Sequence, residues 1–186
     1  MISSFDLQSC PVIAAVKDEG QLERALKTDC ELIFLLFGDI LNISHLVETV
    51  HGANKCAIVH IDLINGLSSR EIAVDFLHKT ANCDGIISTR PPLIRRAKEL
   101  KMYTVLRMFI IDSMALSNIS FNLGACNPDV VEILPGIMPD IIRKVHNLSE
   151  IPVIAGGLIS SKNEVLSALK AGAAAVSTTN EEVWNV

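Results

Sequence analysis

The sequence predicts a small α/β protein, a single domain over residues 1–186 closed into a (β/α)8 TIM-like barrel. Three observations predict it. Eight short β-rich runs recur along the 186 residues. Several are apolar throughout, as strands of a parallel sheet covered on both faces must be. Amphipathic stretches of helical period separate them, which makes successive βαβ units. Eight units leave about 23 residues each, enough for a strand, a helix and two short loops and too few for a long lid or an inserted domain.

The first run is Val12 to Val16. Asp18 to Lys27 follows and places Leu22, Ala25 and Leu26 on one helical face. Leu32 to Phe37 is the second run and the longest apolar one, strand-sized and well short of a membrane span of about 18 residues. A helical stretch from Ile43 to His51 leads to the third run, Cys56 to Ile61. The fourth is Gly85 to Ser88. Pro91-Pro92 then opens the next helix, where proline is tolerated in the first turn, with Thr89 expected as its cap. The remaining runs are Tyr103 to Leu106, Val130 to Leu134, Val153 to Ala155 and Ala174 to Ser177. An open doubly wound sheet would carry a glycine-rich turn after its first strand. Lys17-Asp18-Glu19-Gly20 is not that fingerprint.

Composition narrows the function classes. Lysine and arginine number 16 against 21 acidic residues, a net charge of −5. No global cationic field for nucleic acid exists, although a local patch is compatible with it. The five cysteines, Cys10, Cys30, Cys56, Cys83 and Cys126, are scattered with no CxxC pair. Neither a zinc site nor a disulfide framework is expected, and reduced thiols in a cytoplasm are the plain reading. No HxH or HExxH spacing occurs, so no metal is expected. The first ten residues lack the regions of a signal peptide.

Function in a barrel lies at the C-terminal ends of the strands. Those positions read Lys17, Asp62, Ser88, Arg107, Glu132, Gly156-Gly157 and Ser177-Thr178. Polar groups that directly follow buried runs are costly unless paired or solvated in a pocket. An ion-pair cluster closing the barrel top is one reading of Asp62, Arg107 and Glu132, and a ligand pocket is the other. The last two units carry the sharper signal. Phosphate sites in barrels form from the loops after strands seven and eight and a short extra helix. Glycines there let backbone N–H groups approach an anion, and Ser177 and Thr178 add hydroxyl donors. Lys17 supplies a second cation across the mouth. His60 reads as a packed, hydrogen-bonded strand residue, and Trp184 as the residue that packs the last helix on the barrel.

A basic stretch is hidden in the acidic average. From residue 89 to 107 there are six cations (Arg90, Arg95, Arg96, Lys98, Lys101 and Arg107) against one anion, Glu99. The helix from Leu93 to Leu100 turns Leu93, Ala97 and Leu100 inward and leaves the basic residues outside. Arg90, Arg95, Arg96, Lys98 and Lys101 can meet nucleic-acid phosphates. The alternative is a solvated helix face. Tyr103 is the one aromatic in the stretch, so base stacking is poorly supported.

These blocks resemble the glycerol uptake operon antiterminator regulatory proteins of bacteria. The resemblance rests on the segments from His60 to Gly66, Asp84 to Arg90, Arg107 to Ser113, Pro128 to Gly136, Ile151 to Ile159 and Ala171 to Thr179, with Trp184 near the end. It implies a regulator, not an enzyme. The implied effector is glycerol 3-phosphate, with no cofactor, and the implied target is a leader mRNA upstream of glycerol-utilisation genes. The resemblance also implies the barrel, in agreement with the periodicity. Asp62, Arg107 and Glu132 are then cast as ligand residues. The partners expected are that mRNA and a small phosphorylated metabolite, with no membrane. Homo-oligomerisation is admitted and not fixed. The competing reading is a small TIM-barrel enzyme acting on a phosphorylated triose-like metabolite, with Asp62 or Glu132 as base and Lys17 as amine.

Overall fold

A computed structural model of the chain describes residue 7 and residues 10–185. Eight parallel strands close into a barrel in sequence order, with β8 paired to β1. The strands are β1 (Val12–Val16), β2 (Leu32–Leu35), β3 (Cys56–His60), β4 (Gly85–Ser88), β5 (Tyr103–Phe109), β6 (Val130–Leu134), β7 (Val153–Gly156) and β8 (Ala175–Thr178). The helices are α1 (Glu19–Ala25), α2 (Ile43–Gly52), α3 (Glu71–Phe76), α4 (Pro91–Glu99), α5 (Ser113–Ser117), α6 (Ile119–Cys126), α7 (Pro139–Leu148) and α8 (Lys162–Lys170). Two helices, α5 and α6, fill the crossover after β5. A 3-10 turn, Glu181–Val183, follows β8 in place of an eighth barrel helix. All eight predicted strands are present.

Side-chain alternation divides the core in two. One residue set of each strand faces the helices. Val12, Ala14, Val16, Ile33, Leu35, Val59, Ile86, Leu106, Val131, Ile133 and Val176 pack there against Leu46, Val50, Val74, Leu93, Ile94, Ile142 and Val165. The other set fills the barrel: Ile13, Phe34, Ile58, Ile87, Val105, Val130, Ile154 and Ala175, all buried. Two residues further along four of these strands, the same inward parity reaches His60, Arg107, Glu132 and Ser177. The interior is therefore apolar below and polar at the mouth.

Three local expectations are corrected. Arg107 was expected just after the fifth strand, but β5 continues to Phe109, so Arg107 is an internal strand residue paired in register with Glu132. Thr89 does not cap α4. Arg90 stands at the N-cap, Pro91 opens the helix, and Thr89 donates its N–H and hydroxyl to Asp62 instead. Ile94 rather than Leu100 joins Leu93 and Ala97 on the fully buried face of α4. Trp184 is buried as expected, and its indole N–H donates to the Thr178 carbonyl at 2.8 Å. Burial pushes the Cys83 thiol up to about 12 and the Cys126 thiol up to about 11, so both stay protonated as packing groups.

Candidate functional site

The polar layer inside β5, β6 and β8 is one hydrogen-bonded unit. Arg107 Nε donates to Glu132 Oε2 at 2.5 Å, and Ser177 Oγ donates to Glu132 Oε1 at 2.5 Å. Glu132 is fully buried and Arg107 only 8% exposed, so the carboxylate is held by a cation on one oxygen and a hydroxyl on the other. A buried carboxylate is tolerated only with such partners. Among the described residues, the terminal guanidinium nitrogens of Arg107 make no hydrogen bond, and they are not among the buried unpaired atoms. Arg107 lines a pocket of about 430 Å³, so that is where these donors open.

Glycine makes room for this arrangement. A Cβ on Gly156 would lie 2.5 Å from Glu132 Oε1 and 2.8 Å from Ser177 Oγ. Gly157 and Leu158 follow with φ of 75° and 63°, so the chain turns tightly over the pocket after β7. Thr178 Oγ1 donates to the Ile159 carbonyl at 2.7 Å and accepts the Asn180 N–H, which ties this loop to the one after β8. Ser161 caps α8 by accepting from the Glu164 N–H, and Glu164 in turn accepts from the Ser160 N–H and hydroxyl. This capping box holds the start of α8 in a fixed position beside the pocket. Leu134, Leu36 and Ala15 supply apolar wall.

The predicted site residues divide into two groups. Arg107, Glu132, Gly157, Ser177 and Thr178 line this one pocket. Gly156 lies behind it, as the space Glu132 occupies. Lys17, Asp62 and Ser88 are not in the lining. Lys17 is exposed at the end of β1, and Asp62 and Ser88 sit across the mouth after β3 and β4. There Asp62 Oδ2 accepts from Ser88 Oγ at 3.0 Å and from the Thr89 N–H at 2.8 Å, which joins the two loops. The expected residues are thus divided between a pocket under β5–β8 and a separate tie at β3–β4.

His60 is packed as the sequence predicts, but the hydrogen bond expected of it is missing at its buried Nδ1 among the described residues. It is 3% exposed, and Asp62 Oδ2 is 3.9 Å from that nitrogen. Burial, and then the Arg107 charge, hold its imidazole down at about 4, with Asp62 opposing. The ring is thus neutral at pH 7. Its inward parity at the end of β3 was the available signal. The loop residues Leu158, Ile159, Thr179 and Asn180 also line the pocket and were not singled out.

On the basic helix the charges are largely matched. Arg96 bonds Asp75 at 2.6 Å and Glu99 at 2.7 Å, and Lys98 bonds Asp129 at 2.6 Å. Arg90 lies 3.7 Å from Asp62. Arg95 and Lys101 are exposed and enter no salt bridge among the described residues. Among the described residues no cluster of histidine, cysteine, aspartate or glutamate could hold a metal ion, and no helix is long and apolar enough to cross a membrane.

Residues 12–184 match the family model described as "Glycerol-3-phosphate responsive antiterminator". The chain is 39% identical over 180 residues to the uncharacterised protein YgcP of Escherichia coli (strain K12), covering 97% of this chain and 94% of that protein. Among solved structures it is similar to the glycerol uptake operon antiterminator regulatory protein of Listeria monocytogenes str. 4b F2365. That likeness has a TM-score of 0.90 at 36% identity and covers 93% of this chain and 94% of that one. A glycerol uptake operon antiterminator-related protein of Thermotoga maritima MSB8 gives a TM-score of 0.83 at 33% identity, covering 93% and 96%. The aldolase QR15, at 10% identity and a TM-score of 0.73, shares the fold alone. With a match over nearly its whole length, the chain belongs to the glycerol-3-phosphate responsive antiterminator family.

Proposed function

We propose that this chain is a transcription antiterminator that binds glycerol 3-phosphate in the pocket under β5–β8 and acts on a leader mRNA of glycerol-utilisation genes. The observation that carries the ligand half is Arg107. Its guanidinium is fixed from behind through Nε by Glu132, which leaves two donors facing a pocket. A planar cation held in this way suits a phosphate, which it can meet with two parallel bonds. The Arg107–Glu132 pair is neutral as a unit, so a dianion needs further donors. Backbone N–H groups around Gly157 and the hydroxyls of Ser177 and Thr178 stand in the same lining. Lys17 adds a cation at the rim. The glycerol hydroxyls then meet Glu132 oxygens that retain free lone pairs. Asp62 and Ser88 act on this site only through the β3–β4 tie.

Binding rather than turnover fits the lining. It includes no lysine for a Schiff base, and both oxygens of Glu132 already accept hydrogen bonds. For the RNA half, Arg90, Arg95 and Lys101 are the cations on or beside α4 that remain exposed, with Arg96 and Lys98 available by partner exchange. They serve phosphate contacts, which set affinity and salt dependence rather than sequence choice.

Calorimetric titration with glycerol 3-phosphate tests the first half, with glycerol and inorganic phosphate as controls. Saturable binding that needs both halves of the ligand, and is lost in Arg107→Met, is the expected result. No binding by the wild type overturns the effector assignment. Leader-RNA binding with and without ligand, repeated in Arg95→Glu with Arg96→Glu, tests the second half. Unchanged binding by that variant removes the α4 face from the proposal.

A further inference from the structure

Beside the basic helix α4 the chain changes character. From Met108 to Pro128 the sequence carries one charge, Asp112, and its carboxylate accepts the Ala115 N–H as the cap of α5. The chain as a whole is 20% charged. Part of this charge-poor segment is exposed. Ile111 is 81% exposed, Phe121 77% and Met114 70%. Phe109, Ile137 and Leu158 are exposed too, on the ends of β5, β6 and β7 or the loops that follow them. Those three strands are consecutive in the barrel, so their loops share one side of the mouth.

Helix α6 repeats the pattern. Ile119, Leu123 and Cys126 face the core, while Ser120, Phe121, Gly124 and Ala125 face outward. The outward side of α6 thus carries an aromatic ring and two small residues, with Ser120 as its polar neighbour and no charge. Gly124 has no reason inside the monomer, because a Cβ there meets nothing within 4 Å. Glycine within a helix is unfavourable, and close approach of another backbone is one thing it permits. Gly124 and Ala125 stand one helical turn from Phe121, a shallow site next to a protruding ring.

We infer that the face formed by α5, α6 and the loops after β5–β7 is a two-fold dimer interface of this protein with a second copy of itself. Four points favour that occupant. The face has no cation for nucleic-acid phosphates. Charge depletion with exposed phenylalanine and methionine is the composition of an interface core. A phenylalanine ring exposes on the order of 200 Å², so the six named side chains together offer roughly 800 Å², about what each partner brings to a standard interface. A knob beside a hollow on one helix is self-complementary, as an isologous contact requires: Phe121 of each copy fits over Gly124 of the other. Leu158 belongs both to this face and to the pocket lining, so dimer contact and pocket are mechanically adjacent. The inference does not depend on which ligand fills the pocket.

Sedimentation equilibrium of the full chain over a concentration series tests it. The wild type is expected at twice the monomer mass of 20.2 kDa. Phe121→Glu is expected to raise the dimer dissociation constant roughly 30-fold or more, as loss of a central aromatic does. Gly124→Leu keeps the result interpretable. Its side chain enters open space in the monomer, so the variant must fold with an unchanged circular-dichroism spectrum and yet dissociate. Ile72→Glu is the control, an equally exposed residue on the charged helix α3 (66% exposed), and it must leave the dimer intact. A monomeric wild type throughout the series overturns the inference. So do Phe121→Glu and Gly124→Leu proteins that both dimerise as tightly as the wild type.

Discussion

Two charged regions of this protein have similar sequence signals and opposite physical situations. The mouth carries Arg107, Glu132 and Ser177 inside the barrel, with Glu132 fully buried. The face of α4 carries Arg96 with Asp75 and Glu99, and Lys98 with Asp129, in bridges of similar length that water reaches. Charge type and bridge distance do not distinguish them. Burial does. A desolvated pair is held in one geometry and is costly to break, whereas an exposed pair can exchange its partner for a phosphate at little cost. The mouth is thereby suited to a small ligand of fixed shape and the helix face to a polyanion of variable shape.

The largest effect should come from splitting the buried pair. Glu132→Ala leaves the Arg107 guanidinium without its counter-charge and should cost about 3–5 kcal/mol of stability in urea unfolding. Replacing both residues with apolar ones, Arg107→Met with Glu132→Leu, should recover most of that loss and still abolish ligand binding. A double variant as unstable as Glu132→Ala would mean that the pair is structural beyond its charge balance.

The next effect is one of pH. The folded-state value of His60, about 4, lies below the ordinary 6.5. The unfolded chain therefore binds the extra proton first, and stability falls as pH drops from about 6.5 to about 4. The full loss, about 3 kcal/mol, is reached below pH 4, and none of it remains above about pH 7. Melting curves of the wild type and His60→Gln should run closest near pH 7 and separate toward pH 4, where only the wild type carries this loss. Parallel curves would show that the ring is not desolvated as placed.

Gly156→Ala puts a methyl group where Glu132 Oε1 and Ser177 Oγ now lie. Overpacking of this kind costs about 1–3 kcal/mol, and the displaced carboxylate should weaken ligand binding along with it. Unchanged affinity would separate the glycine from the pocket. The smallest effect belongs to the helix face. Lys98→Ala should change stability by less than about 1 kcal/mol and act mainly on the salt dependence of RNA binding. A larger stability loss would remove the distinction between the two regions.

Most of the fold was legible because its signals are local. Each strand run, the Pro91 helix start and the turn at Gly156-Gly157 can be read within a few residues. The site was legible only in part. Arg107, Glu132, Ser177 and Thr178 were picked out as polar residues next to buried runs, and they do meet. Lys17, Asp62 and Ser88 were picked out by the same rule and do not line the pocket. For Ser88 the rule finds the height along the strand but not the parity, whereas Lys17 and Asp62 stand past the ends of their strands. Ser88 shares the parity of Ile86, which faces the helices, whereas Ser177 shares that of Ala175 inside the barrel. Phe121 and Gly124 gave no signal, because an apolar helix reads as core until its neighbours are known.

The sequence by itself determined the eight-unit order, the apolar lower barrel and the glycine turn after β7. Those follow from periods of two and 3.6 residues and from the conformational range of single residues. Only the tertiary structure decided that Arg107 and Glu132 stand side by side, that Ser177, 45 residues further on, closes the same carboxylate, and that Asp62 turns to Ser88 instead. Register between strands and closure of the barrel set those distances, and both are collective properties of the whole sheet that no short segment encodes.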